Sequence, residues 1–405
     1  MKHYDILIVG GGIVGASLAR ALDGQGLGIA MVEAIQFETR ASPGYDDRAI
    51  ALAQGTKRIF DGMQLWDNLA DEATPIHRIH VSDRGHCGFT RMDRAEEGLP
   101  ALGYVVPARV IGRVLGDFVR QTDAVDLYCP AVLQELSIDA DAVRAVLQVN
   151  GREQAVTARL VVAADGAGSV VREQLGIPVT DYDYAQTAVI TNITPQLPHR
   201  NTAFERFTDT GPLALLPMTE QRCAVVWTVS TGETDAVMGL SDAAFLARLQ
   251  ERFGFRLGRL ERVGQRQAWP LHLIKASEYV RPRLALVGNA AHTLHPIAGQ
   301  GFNLGVRDIA ALAEVLVDAT RRGVDPGDLF VLNRYAEWRH ADLQRVTAFT
   351  DGMARLFTLP LPALGMARSA GMLVLDLVPP AKRLLTRLTM GRGGRISRLG
   401  CGLPL

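Results

Sequence analysis

Cysteine is scarce. The 405 residues hold four, Cys87, Cys129, Cys223 and Cys401, far apart and with no Cys-x-x-Cys, a spacing that excludes a zinc ribbon or an iron–sulfur ladder and gives no disulfide framework. A reducing compartment fits best. Lysine is as rare: of 43 basic residues only Lys2, Lys57, Lys275 and Lys382 are lysines, and the arginines are spread along the chain and matched by 43 acidic residues. No basic field points to nucleic acid, which is not expected as a partner. Long apolar runs are also missing. A spanning helix needs about 18 uninterrupted apolar residues, and the best stretch, Gly371 to Val378, is broken by Asp376 and ended by Pro379-Pro380. The chain runs from Met1-Lys2-His3-Tyr4 straight into a strand-like segment, without room for a signal peptide. The expected location is cytoplasmic, with peripheral contact on the inner membrane left open. Internal repeats and low-complexity segments are absent.

What is present is a composition with 48% hydrophobic residues and 40 glycines, enough for a large core and two domains. Residues 4 to 9 read as a buried parallel strand, 10 to 15 as a turn and 16 to 24 as a helix leading to a second strand that ends at Glu33, a βαβ unit. The pattern is helical from Ser42 to Leu69 and again from Val110 to Arg120. It is strand-like from Pro75 to Arg91, and alternating from Leu127 to Val149 with a turn at Asn150-Gly151. Buried strands are expected at Arg159 to Ala164 and Leu284 to Val287. Longer strands are expected between Tyr182 and Trp269 with one helix at Asp242 to Arg252, then a helix at Asn303 to Ala319 and helices after Pro326.

Three glycine-rich stations follow buried strands. The first, Gly10-Gly11-Gly12-Ile13-Val14-Gly15, is a G-x-G-x-x-G with Glu33 closing the next strand. Gly10 permits the turn, Gly12 lets a pyrophosphate reach the helix N-terminus, Gly15 allows close packing, and Glu33 suits a ribose hydroxyl. Alone this motif does not separate NAD from FAD. The second station is Asp165-Gly166-Ala167-Gly168-Ser169-Val170-Val171-Arg172. The third runs from Gly288-Asn289-Ala290-Ala291-His292 through Leu294-His295-Pro296-Ile297-Ala298-Gly299 to Gln300-Gly301-Phe302-Asn303.

In this order and spacing the stations resemble the class A flavoprotein monooxygenases of the para-hydroxybenzoate hydroxylase fold. With Ser82-Asp83-Arg84-Gly85-His86 and Phe204-Glu205-Arg206-Phe207-Thr208…Gly211-Pro212-Leu213-Ala214-Leu215-Leu216-Pro217, the third station is similar to the ubiquinone-biosynthesis hydroxylases, in particular the branch acting on 2-octaprenyl-6-methoxyphenol. The resemblance covers about residues 1 to 350. It implies an α/β fold: a Rossmann-type FAD-binding domain from 1–75, 101–180 and 276–330, an inserted β-sheet substrate domain from 76–100 and 181–275, and a C-terminal helical region, 331–405. It implies that Gly10, Gly12, Ile13, Gly15 and Glu33 hold the ADP half of FAD, that Arg48 and Arg109 contact the phosphate and ribityl region, that Val132 lies beside the adenine and that Asp165 caps the turn at the pyrophosphate. Gly299, Gly301, Phe302 and Asn303 would set backbone N–H groups against the flavin pyrimidine. Where the family usually has Gly-Asp this chain has Asn289, whose amide oxygen can accept the same bond with one negative charge fewer.

The implied reaction takes NAD(P)H and O₂: the flavin is reduced, O₂ adds at its C4a, and the distal oxygen passes to a carbon of a polyprenylated phenol. Such a phenol, with a pKa near ~10, needs a base or a positive field to ionise at neutral pH. His295, beside Pro296, is the expected candidate, and a structural histidine is the plainer alternative. His292, His295 and His272 lack a carboxylate or cysteine to complete a ligand set, so no metal is expected. Trp227 and Trp269 read as core or as pocket lining. The apolar stretch Leu356 to Leu385, with six cations from Lys382 to Arg398, reads as a solvated basic tail or as a membrane-surface contact. Rival readings are a flavin halogenase, opposed by the absence of lysine between 58 and 274, a simple NAD dehydrogenase, opposed by the second and third stations, and a catalytically weak flavoprotein that holds other ubiquinone-biosynthesis proteins together.

Overall fold

In the computed structural model, residues 1–37, 45–358 and 362–405 are described, without the side chains of 354–355, 357–358 and 362–367. The first strand, Lys2–Val9, pairs in parallel with Arg152–Ala163 on one side and Ile29–Val32 on the other. Ile6, Leu7, Ile8 and Val9 are all buried, as the unbroken apolar run requires of a strand covered on both faces. Leu284–Leu286 and Val125–Tyr128 extend the sheet, so five strands run parallel in the order 284–286, 152–163, 2–9, 29–32, 125–128. The hairpin Ala131–Ile138 and Val143–Val149 joins through the first half of Arg152–Ala163, turning at Asn150-Gly151. Helices Ile13–Leu22 and Gln300–Arg321 pack on one face, the latter burying most of its length.

A second sheet of nine strands among the described residues carries, in order, His292–Thr293, Gln267–Ala276, Val179–Pro195, Cys223–Ser230, Gly211–Pro217, Thr202–Thr208, Arg78–Asp83 and Phe89–Asp93, with Leu260–Val263 beside Val179–Pro195. Helix Asp242–Phe253, capped by the Ser241 hydroxyl, covers its outer face, where Trp227 is buried against Phe245. One expectation fails. Among the described residues of the stretch from Ser42 to Leu69, Ala49–Ala53 is a strand, because Gly103–Pro107 is there to pair with it, and only Gln54–Gly62 is α-helical. Ser42 itself lies outside the described residues.

Of the C-terminal helices, Leu329–Thr358 packs on helix Gln300–Arg321, Pro362–Leu377 packs on the strands Arg78–Asp83 and Phe89–Asp93 of the second sheet, and Pro379–Thr389 packs beside Pro362–Leu377. A buried ionic network fixes the first of them. Asp308 accepts from Gly288 N–H at 3.1 Å, His292 Nε2 at 2.8 Å and Arg339 Nε at 2.7 Å, and Asp342 accepts from both Arg339 and Arg307. The expected basic tail is tied down as well: Arg398 pairs with Asp318 at 2.7 Å, Arg395 lies 3.7 Å over the Trp338 ring, and Lys382 meets Glu96 at 3.0 Å.

Candidate active site

Parallel pairing brings all three stations and Glu33 to the carboxyl edge of one sheet, since Val9 is opposite Ala163 and Val32, and Ala163 is opposite Leu286. The glycines of the first station divide into two kinds. A Cβ on Gly10, whose φ is +100°, would lie 2.5 Å from the Ala164 carbonyl, and one on Gly15 would lie 1.9 Å from that of Gly10. These two are glycines because protein fills the space. A Cβ on Gly12 would meet nothing within 4 Å, and Gly12 begins helix Ile13–Leu22 with no side-chain cap. Uncapped N–H groups thus face open space, an anion site by construction. Glu33 accepts from Gly11 N–H at 2.6 Å and Ile35 N–H at 2.8 Å, so it shapes the turn with lone pairs to spare. Its carbonyl accepts from Ala131 N–H, which puts the half-exposed Val132 next to it.

At the second station Asp165 Oδ2 accepts from Val171 N–H at 3.1 Å, and its buried Oδ1 has no partner among the described residues. Arg172 donates to the carbonyls of Ala167 and Ala290, stitching this station to the third. There Asn289 is exposed on its turn, and Gly299, at φ +59°, starts helix Gln300–Arg321 without a side-chain cap. The Asn303 side chain is fully engaged inside the protein: Oδ1 accepts from Ala53 N–H and Thr56 Oγ1, and Nδ2 donates to the carbonyls of Ala51 and Gly299. It staples the turn to the strand Ala49–Ala53. Gly301 faces open space, and Phe302 packs edge-on to Phe60 at 6.5 Å.

Arg48 is exposed, 5.7 Å from the Trp269 ring centre. Arg109 is engaged otherwise, its guanidinium held by Asp47 at 2.8 Å and by Glu72. The histidines of the third station have protein partners. Gln186 donates its Nε2 to the Thr210 carbonyl, which leaves its Oε1 to accept from His295 Nε2 at 3.1 Å. The proton of His295 therefore sits on Nε2, and the buried Nδ1 is bare. Burial drives the ring down to about 4, only partly offset by Asp351, so His295 is a neutral acceptor at pH 7. His272 bonds Asp181, and His292 bonds Asp308.

Opposite the turn at 296–299 stands the inner face of the nine-stranded sheet. Gln267, Ile190, Val226, Ala214, Glu205, Val81 and Thr90 form one row across seven strands, each opposite the next. Ile190, Ala214, Val226 and Glu205 are partly exposed, whereas Val189, Leu213, Val225 and Trp227 on the outer face are buried. Central strands that leave apolar side chains partly uncovered offer an apolar surface to a ligand. The turn borders that surface: Ile297 and Ala298 pack on Phe207, and Ala298 N–H reaches Glu205 Oε1 at 3.3 Å. The motif Phe204-Glu205-Arg206-Phe207-Thr208 was the sequence signal for this wall. It carried no sign of which face looked toward a ligand.

A family model described as an FAD binding domain matches residues 3–350. A ubiquinone hydroxylase, UbiL, from Rhodospirillum rubrum is 40% identical over 100% of this chain and 94% of its own length, and 3-demethoxyubiquinol 3-hydroxylase from Escherichia coli is 33% identical over 96% and 98%. The chain belongs to the FAD-dependent aromatic monooxygenases. Its fold is similar to that of p-nitrophenol 4-monooxygenase PnpA from Pseudomonas putida DLL-E4, with a TM-score of 0.80, 22% identity and coverage of 98% of this chain and 100% of that one. The monooxygenase uses FAD, with NAD(P)H as the co-substrate typical of the family. The uncapped helix starts at Gly12 and Gly299 and the unpartnered Asp165 Oδ1 fit that cofactor. FAD supplies the redox and oxygen chemistry; the protein binds, orients and excludes water.

Proposed function

We propose that the monooxygenase hydroxylates a polyprenylated phenol of the 2-polyprenyl-6-methoxyphenol type in ubiquinone biosynthesis: phenol, O₂, NAD(P)H and one proton give the hydroxylated ring, NAD(P)⁺ and water. The observation that carries this reading is the row of apolar side chains facing the turn at 296–299, a wall suited to an aromatic ring. The names of the relatives support the pathway. In this reading residues 1–75, 101–180 and 276–330 bind FAD, 76–100 and 181–275 bind the phenol, and 331–405 form a helical region. Gly10, Gly12, Ile13, Gly15, Glu33 and Val132 hold the ADP half, while Arg48, Asp165 and Asn289 hold the phosphate and ribityl region. Gly299, Gly301, Phe302 and Asn303 present the turn to the ring. Arg109 acts by fixing Asp47 beside Arg48, and His295 and Pro296 set the corner of the turn.

The purified protein should be yellow, release FAD on denaturation, and convert a short-tailed prenylated phenol to a product heavier by one oxygen, with one NAD(P)H consumed per product. Oxidation of NAD(P)H that no phenol stimulates would overturn the reading. The ring position follows from the product's fragmentation.

The polyprenyl tail belongs in a bilayer, and no described helix is long and apolar enough to cross one. The contact we propose is the corner between helices Pro362–Leu377 and Pro379–Thr389. Val374, Leu377, Val378 and Leu384 are exposed there, Leu377 to 77%, and the exposed Arg383 and Arg387 flank them. This narrows the stretch Leu356 to Leu385, in which the side chains of 357–358 and 362–367 lie outside the described residues, and it sets aside Lys382, Arg395 and Arg398, which are engaged in the protein. Leu377→Asp with Leu384→Asp should weaken sedimentation with anionic liposomes by at least about 100-fold, at roughly 1.5–3 kcal/mol per leucine. Turnover of a short-tailed phenol should be unchanged. Binding that survives the double change would rule this corner out.

A further inference from the structure

We propose that Glu205 is the base that takes the phenol proton. The inference rests on the hydroxylase reading and names a residue for the step that reading leaves open. Glu205 is the one ionisable side chain in the row Gln267, Ile190, Val226, Ala214, Glu205, Val81, Thr90, and its neighbours on either side are Ala214 and Val81. Its Oε1 accepts the Ala298 N–H from the turn at 296–299, and Oε2 has no partner among the described residues. It therefore links the wall to the turn and keeps one oxygen available.

Among the described residues no cation pairs with it. Asp83, two residues further along the adjacent strand and on the same face, is paired with Arg368 at 3.3 Å and lies 3.1 Å from His86 Nδ1. Arg206, the next residue in the chain, points to the opposite face of the sheet, toward Arg256 and Arg84. From helix Leu329–Thr358 the facing group is Asp351, bonded by Tyr184, and from the turn it is His295, bonded by Gln186. A carboxyl placed among apolar side chains without a counter-ion is costly for the fold, and such groups concentrate at functional sites. Burial raises Glu205 to about 7, against the Ala298 N–H bond that lowers it. That halves the gap to a phenol of pKa ~10 from about 6 units to about 3. His295, held near 4 and bonded through its only N–H, is the poorer base.

The step is a proton transfer alone. The phenolic O–H breaks, its proton goes to Glu205 Oε2, and the electron pair stays on the phenolic oxygen, where it enriches the ring carbon that receives oxygen.

The test is Glu205→Gln in the FAD-loaded enzyme, a change that keeps an acceptor for Ala298 N–H. FAD content and flavin reduction by NAD(P)H should match the parent, while hydroxylation of an ordinary phenol falls on the order of 100-fold or more. A fluorinated phenol already ionised at the assay pH should be turned over within a few-fold of the parent rate. In the parent, kcat/KM for the ordinary phenol should rise with pH through a limb near 7, because only the ionised carboxyl accepts the proton, and the variant should lack that limb. A variant with the parent's rate and limb overturns the proposal, as does an equal loss on both phenols with normal flavin reduction, which marks a structural role. Should the variant lose FAD, the parent's pH limb decides, since the ordinary phenol must show it near 7 and the phenol already ionised must not. A parent that hydroxylates neither phenol refutes the hydroxylase reading, whereas a parent that hydroxylates both with no limb near 7 refutes Glu205 alone.

Discussion

Replacing Gly12 by valine should strip the protein of FAD and leave it folded. The backbone at Gly12, φ −60° and ψ −178°, is open to any residue, and a Cβ there meets no atom within 4 Å, so the fold has no reason to object. The free volume lies in front of the first N–H groups of helix Ile13–Leu22, and a branched side chain would occupy it. Losing two hydrogen bonds to a charged phosphate, at roughly 1.5–3 kcal/mol each, weakens FAD by at least about 100-fold. The check is flavin absorbance per protein together with the melting temperature. Gly15→Ala is the contrast: its Cβ would lie 1.9 Å from the Gly10 carbonyl, and the variant should fail to fold whether or not FAD is supplied. Full flavin occupancy in the valine variant would remove the pyrophosphate from this turn.

Asp308→Ala should be the most damaging single change away from the cofactor. Asp308 is 2% exposed and bonds Gly288, His292 and Arg339, so alanine leaves Arg339 buried beside Asp342 alone, with Arg307 already paired to that carboxylate. Breaking a buried pair in this way costs about 3–5 kcal/mol, to be read as a lowered midpoint in denaturant. The same network gives stability a pH dependence. Burial alone would raise the Asp308 carboxyl, but His292 and Arg339 outweigh it and hold the group at about 2. A folded value below the unfolded one, about 3.9, means that the contribution is complete above about 4 and is lost as pH falls toward 2. Acid unfolding of the parent should therefore steepen below pH 4, and the alanine variant should lose that component.

The three stations were legible in the sequence because glycine requirements and strand-to-helix turns are local, and the strand at 2–9 and the helices at 108–121, 242–253 and 300–321 follow from periodicity alone. What stayed hidden depends on partners far away in the chain. Arg109 looks like a phosphate ligand until Asp47 and Glu72 are seen to hold it. The strand Ala49–Ala53 exists because Gly103–Pro107 pairs with it. The cations after Lys382 look free in a sequence that does not show Glu96, Trp338 and Asp318 beside them. Glu205 was visible within a motif, yet its neighbours in the row come from other strands, and only register reveals that they are apolar.

The stations are separated by more than a hundred residues of chain, and they meet only once the strands 2–9, 152–163 and 284–286 are in register. An unfolded chain therefore has no FAD site, and the cofactor binds the native form alone. Its binding free energy is then folding free energy: at a hundredfold excess over the dissociation constant, FAD adds about 2.7 kcal/mol to stability. Flavin supply would thus govern how much native enzyme a cell maintains as well as how fast that enzyme turns over.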